Sequence, residues 1–103
     1  ENLSNIADII PTSYELHQNY PNPFNPITNI QYDLPEAINV KIDIYDVRGR
    51  KVKSLLNQIQ EPGFKSIQWN ALSDLGERVG SGMYFYRIET SDFNKTKKMI
   101  LLK

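Results

Sequence analysis

His17 is the single histidine of the chain, and cysteine is absent. A His/Cys zinc cluster and a thiolate nucleophile are both excluded by that count. A Ser–His–Asp relay would rest on one imidazole in a lead-in strand close to proline, and an ordinary edge-strand histidine explains it more simply. Asp43, Asp46, Asp74, Glu77 and Glu89 include candidates for an acid–base pair, but such pairs arise by chance among twelve acids. Solvated strand faces are the expected place for them. Asp74 followed by Gly76 has a faint likeness to a calcium loop, without the regular oxygen ligands and closing bidentate glutamate. Gly80-Ser81-Gly82 lacks the lysine and the following helix of a phosphate cradle. Trp69, Tyr84, Phe85 and Tyr86 offer rings for a sugar surface. Alternation turns Trp69, Tyr84 and Tyr86 inward and leaves Phe85 and Tyr45 outside, so core packing is the expectation. No catalytic residue, metal site or cofactor follows from these residues.

Length and charge narrow the classes further. A chain of 103 residues makes one domain with a modest core, too small for a deep cleft with its own lid. Its 40% apolar and 11% aromatic content rules out disorder. Twelve basic residues balance twelve acidic ones, leaving no long-range field to gather nucleic acid or anionic lipid. Crossing a bilayer takes about 20 apolar residues, so the four-residue run 99–102 predicts a chain that does not span a membrane. The chain opens on Glu1 with no basic-then-apolar leader, as expected of a piece cut from a longer protein.

The pattern along the chain is mostly of period two. Thr28, Ile30, Tyr32 and Leu34 alternate with polar residues, as do Val40, Ile42 and Ile44, predicting two half-buried strands separated at hairpin length by residues 35–39. Residues 46–50 predict a glycine turn, and residues 51–57 a shorter fourth strand or one helical turn. Glu61-Pro62-Gly63-Phe64 has the residue order of a type II turn. A strand with Ile67 and Trp69 on one face follows, then a glycine-marked loop over 71–82. The aromatic strand 83–90, a turn at 91–94 and a last strand to residue 103 complete the chain. With residues 14–18 this makes about seven short strands, an all-β, immunoglobulin-like antiparallel sandwich. The expected core is Ile30, Tyr32, Leu34, Val40, Ile42, Ile44, Val52, Leu55, Ile67, Trp69, Tyr84, Tyr86, Ile88, Met99 and Leu101. Residues 1–13, with Ile6, Ile9 and Ile10 at helix-like spacing before Pro11, are expected to be a linker from an upstream domain. Residues 14–103 are the domain itself.

One segment, NYPNPFNP at 19–26, concentrates three prolines and three asparagines in eight residues. Each X-Pro step pushes the preceding residue toward extended geometry, and Tyr20 and Phe24 are expected to pin the loop against the end of the sandwich. Together with VKIDIYDVRGRKVKSL, EPGFKSIQWNALSDLGERVGSGMYFYRIE and KTKKMILLK, this segment closely resembles the type A C-terminal sorting domains of type IX secretion substrates in Bacteroidetes and related lineages. It is also similar to the immunoglobulin-like domain of the flagellar hook-capping protein. The resemblance implies a non-catalytic sorting domain at the end of an exported protein, covalently linked to an upstream cargo. It further implies recognition by an outer-membrane translocon, removal by a sortase-like protease, and delivery through the periplasm to the cell surface or medium. The family's motifs fall on Pro21, Asn22, Pro23, Phe24 and Pro26, on Gly82, Tyr84 and Tyr86, and on Lys97, Lys98, Met99 and Leu101. The last strand is expected to present an open edge, where Lys97, Lys98 and Lys103 either contact the translocon or keep an apolar edge from aggregating. A structural hook-cap-like module and a carbohydrate-binding accessory are the alternative readings.

Overall fold

Alternating side chains become alternating burial in the computed structural model, which describes residues 10–102. Over Thr28–Leu34 every second residue is buried, which puts Thr28, Ile30, Tyr32 and Leu34 on one face. Seven strands follow in chain order: β1 (Glu15–Leu16), β2 (Thr28–Leu34), β3 (Ile38–Tyr45), β4 (Lys51–Gln60), β5 (Gly63–Trp69), β6 (Gly82–Glu89) and β7 (Asn94–Leu101). They form two antiparallel sheets, β1-β2-β5 and β4-β3-β6-β7. Each sheet has one apolar face, and the two faces pack to make the immunoglobulin-like sandwich expected from the sequence.

The sheet assignment overturns several local expectations. β2 and β3 do not form a hairpin: residues 35–37 carry the chain from the first sheet to the second. The segment at 61–62 carries it back, and Gly63 has φ of +150° rather than the roughly +80° of a type II turn. Gly63 is already paired with Leu34. β4 is not short but the longest strand, with ten residues. Its pairing with β3 shifts register between Ile42 and Asp43 and again between Ile44 and Tyr45, which absorbs the extra length. Two true hairpins remain. At the β3–β4 turn, Asp46 Oδ1 accepts the Arg48 N–H at 2.9 Å and the Arg50 N–H at 3.0 Å, and Gly49 takes φ of +82°. The Arg50 backbone donor, then that of Arg48, holds the Asp46 carboxyl below its ordinary value.

The core matches the expected set with three exchanges. Val52, Leu55 and Ile67 are only partly buried against it. Leu16, Phe24 and Ala71 are buried instead. Trp69 lies at the centre, edge-on to Tyr84 with ring centroids 5.5 Å apart, and its indole N–H donates to the Leu72 carbonyl at 2.9 Å. Ala71 holds φ of +64° with its methyl buried, a left-handed position within the loop that has no strand period to reveal it. Ile6, Ile9 and Lys103 lie outside the described residues.

Leu16 occupies a two-residue strand yet is fully buried. Leu16→Ala is therefore expected to cost about 2–5 kcal/mol in urea or guanidinium unfolding, with the slope unchanged. A cost within about 0.5 kcal/mol, the range of an ordinary surface change, would mean that β1 is not part of the cooperative core.

Candidate recognition surface

The proline segment is the tip of a wide loop in the β1–β2 sheet. Tyr20 and Asn29 exchange two backbone hydrogen bonds of 2.9 Å, and the chain between them leaves that sheet and reaches the last strand of the other. All three of its X-Pro peptide bonds are cis. At the tip, the Phe24 N–H donates to the Ile100 carbonyl at 3.0 Å, and the Leu102 N–H donates to the Phe24 carbonyl at 2.8 Å. Phe24 thus forms a parallel bridge with Leu101. Asn22 Oδ1 accepts the Ile100 N–H at 3.0 Å, and Gln18 Nε2 donates to the Lys98 carbonyl at 2.8 Å. The loop clasps the second half of β7, so the last strand does not present the fully open edge expected from the sequence.

Buried polar groups hold the clasp from behind. Asn19, 2% exposed, donates from Nδ2 to Thr28 Oγ1 at 2.9 Å and to the Pro21 carbonyl at 3.2 Å. The Thr28 hydroxyl donates to the same carbonyl at 2.9 Å. Tyr86 reaches across from β6: its hydroxyl donates to the His17 carbonyl at 2.7 Å and accepts the Asn19 N–H at 2.8 Å. Burial pushes the Tyr86 phenol up to about 12, against the lowering effect of the Asn19 donor. Phe24 inserts its ring into the core 5.9 Å from Trp69, whereas Tyr20, expected to pin the loop with it, is 78% exposed.

The expected motif residues divide by burial. Phe24, Tyr84, Tyr86, Met99 and Leu101 are core side chains and build the scaffold. Pro21, Asn22, Pro23, Gly82 and Lys98 are exposed, with Pro26 and Lys97 half-buried. Tyr84 also fixes the loop before β6, its hydroxyl donating to the Gly80 carbonyl at 2.6 Å. Beside the clasp a cavity of about 290 Å³ is lined by Asn25, Pro26, Ala71, Arg78, Val79, Gly80, Ser81, Leu101 and Leu102. All three motif segments meet at this end of the sandwich. Only Pro26 and Leu101 of these were expected motif positions; Ala71, Arg78 and Val79 are among those that sequence reasoning missed, since nothing in a loop's periodicity marks them.

The other candidates are used structurally. His17 Nε2 lies 3.0 Å from Asp33 Oδ1, and Ser66 lines the same shallow depression. Among the described residues Ser66 and His17 share no hydrogen bond, so the nucleophile–base contact is missing. Asp74 caps β4, its Oδ1 accepting the Ser54 N–H at 3.0 Å. Lys41 Nζ sits 3.7 Å from Asp43 and 4.0 Å from Glu89, but Asp43, expected on a solvated strand face, is only 2% exposed. Among the described residues no group of three or more His, Asp or Glu is placed to hold a metal. No helix there is long and apolar enough to cross a membrane.

Residues 18–102 match the family model of the secretion system C-terminal sorting domain, and the chain belongs to that family. No curated protein sequence matches it. Among solved structures, it is similar to dimeric latent PorU from Porphyromonas gingivalis, at 26% identity and a TM-score of 0.71, covering 91% of this chain and 10% of that one. PorZ, an essential surface component of the type IX secretion system of the same organism, aligns at 22% identity and a TM-score of 0.60, over 85% of this chain and 11% of that one. FlgD from P. aeruginosa aligns at 24% identity and 0.57, over 89% and 68%. The last two likenesses establish the fold. The chain spans about a tenth of PorU and of PorZ.

Tyr86→Phe deletes the hydroxyl that ties β6 to residues 17 and 19. The expected loss is about 1–3 kcal/mol, because the Asn19 N–H is left buried without its partner. The phenol also makes stability depend on pH. With the folded value raised to about 12 from 10.0, the stabilisation is complete below pH 10 and is lost as pH rises toward 12. Thermal melts across that window should fall more steeply for the native chain than for Tyr86→Phe; parallel curves would contradict the assignment.

Proposed function

We propose that this domain routes the polypeptide that carries it through the type IX secretion system, and that it is read as a folded unit at the clasped end of the sandwich. It performs no catalysis of its own. The observation that supports this reading is the convergence there of all three motif segments, with Phe24, Tyr84, Tyr86, Met99 and Leu101 inside and Pro21, Asn22, Pro23, Gly82 and Lys98 outside. Buried members set the backbone, and exposed members make the surface a receptor touches. A rigid proline corner loses little conformational entropy on binding, which favours its use as a docking feature.

In this reading the partners are an outer-membrane translocon, a sortase-like protease and the upstream cargo to which the domain is linked. The sorting unit is residues 14–103. Residues 1–13 are the linker and the site of cleavage, being largely polar at their start. The destination is the cell surface or the medium, after passage through the periplasm.

Fusing the chain to a periplasmic reporter in a host with this secretion system should release the reporter to the surface or medium. A reporter retained behind the outer membrane, with the domain intact and folded, sinks the proposal. Two substitutions then separate surface from scaffold. Asn22→Ala with Pro23→Ala removes exposed groups and is expected to abolish export while lowering stability only by the roughly 1 kcal/mol of one hydrogen bond. Phe24→Ala empties a core position and should cost about 3–5 kcal/mol, losing export and stability together. Export that tracks melting temperature alone across both variants would reduce the proline corner to a structural element.

A further inference from the structure

Every sheet edge but one stretch carries a device against pairing with another chain. β1 is two residues long. The second half of β7 is covered by the clasp at Ile100 and Leu102. Its first half places Lys95 opposite Ile88 and Lys97 opposite Tyr86, both fully buried partners, so these two lysines start on the interior side of the sheet. On β5, Lys65 stands opposite the buried Tyr32 in the same inward sense. Inward-pointing charge at an edge penalises an incoming strand, which would have to desolvate it. The first part of β4 is met by the 71–80 loop, where the Asp74 N–H donates to the Val52 carbonyl and the Asp74 carboxylate accepts the Ser54 N–H, each at 3.0 Å.

Beyond Ser54 the protection stops. Residues 56–60, Leu-Asn-Gln-Ile-Gln, carry no charge, proline or glycine. After the irregularity at Leu55 their pairing with β3 runs without a shift, from Leu56 opposite Ile42 to Gln60 opposite Ile38. Among the described residues no backbone group other than those of β3 pairs with them. Ile59 stands 72% exposed on the outer face beside Asn39, whose amide bonds Asn57 at 3.2 Å.

We propose that residues 56–60 are a self-association edge, along which two copies of this chain pair antiparallel and join their four-stranded sheets into one. The occupant is a second copy because the stretch is complementary to itself. A two-fold axis at Gln58 sets Asn57 of one copy opposite Ile59 of the other, covering the exposed isoleucine, and meets no charge on either side. An unrelated strand selected by charge would find nothing here to select it. Five residues of strand span roughly 17 Å, and such an edge buries less than the roughly 1,200 Å² of a stable standard interface. The association is therefore reversible and depends on concentration.

Since the chain has no cysteine, one engineered thiol reports the geometry. Residues directly opposite across an antiparallel pair are about 4.5–5.5 Å apart at Cα, within the roughly 4.4–6.8 Å reach of a disulfide. Gln58→Cys, shown folded by circular dichroism, should oxidise mostly to a covalent dimer. Ser66→Cys, also exposed but on the lysine-guarded β5, should stay mostly monomeric. In sedimentation the native chain should gain weight-average mass as concentration rises, and Ile59→Lys should remove that rise without unfolding the domain. Equal cross-linking of the two cysteine variants, or a native chain that sediments as a monomer into the millimolar range, overturns the proposal.

Discussion

The structure depends on one contact between its two sheets, the seating of the β1–β2 loop on β7. A sandwich joins its layers through side chains, whose packing is strong but carries little directional information. Here the loop of one sheet also makes backbone hydrogen bonds to the last strand of the other, at Ile100 and Leu102. Phe24 adds a ring to the core at the same point, beside Trp69. Hydrogen bonds fix the position and burial supplies the energy, so the end of the sandwich has one arrangement rather than several.

That constraint explains why so many polar groups are spent on this side of the molecule. Asn19 and Thr28 are buried side chains, and such groups destabilise unless each hydrogen-bonding atom finds a partner. They find partners in each other, in the Pro21 carbonyl and in the Gln18 amide, while the Tyr86 hydroxyl accepts the backbone N–H of Asn19. A proline-rich turn has few backbone donors of its own, and these side chains occupy the carbonyl that its geometry leaves turned inward. The opposite edge needs no such network, and there β4 relies on register shifts and a single carboxylate cap.

For a secretion sorting domain, separating scaffold from surface has a functional sense. A receptor that reads exposed positions on a fixed backbone gains affinity from preorganisation rather than from area. In this chain Phe24 is hidden while its neighbours Asn22 and Pro23 are outside. One short motif therefore holds the fold and displays a surface with adjacent residues.

Much of this was written in the sequence. Period-two alternation determined the strands, because a pleated backbone sends successive side chains to opposite faces whatever lies beyond. It identified twelve of the buried positions, from Ile30 to Leu101. Val52, Leu55 and Ile67 are only partly buried, and the irregularity at Leu55 breaks the alternation of β4. Leu16 and Ala71 had no period to betray them. The sequence also placed the proline motif, the glycine–tyrosine motif and the terminal strand in order along the chain. Only the tertiary structure decided that β2 and β3 lie in different sheets, that Phe24 packs in the core while Tyr20 does not, and that the three motifs meet. Those facts are hydrogen bonds and contacts between residues as far apart as Asn22 and Ile100. Local pattern cannot encode such pairings, because they follow from which strands close on one another.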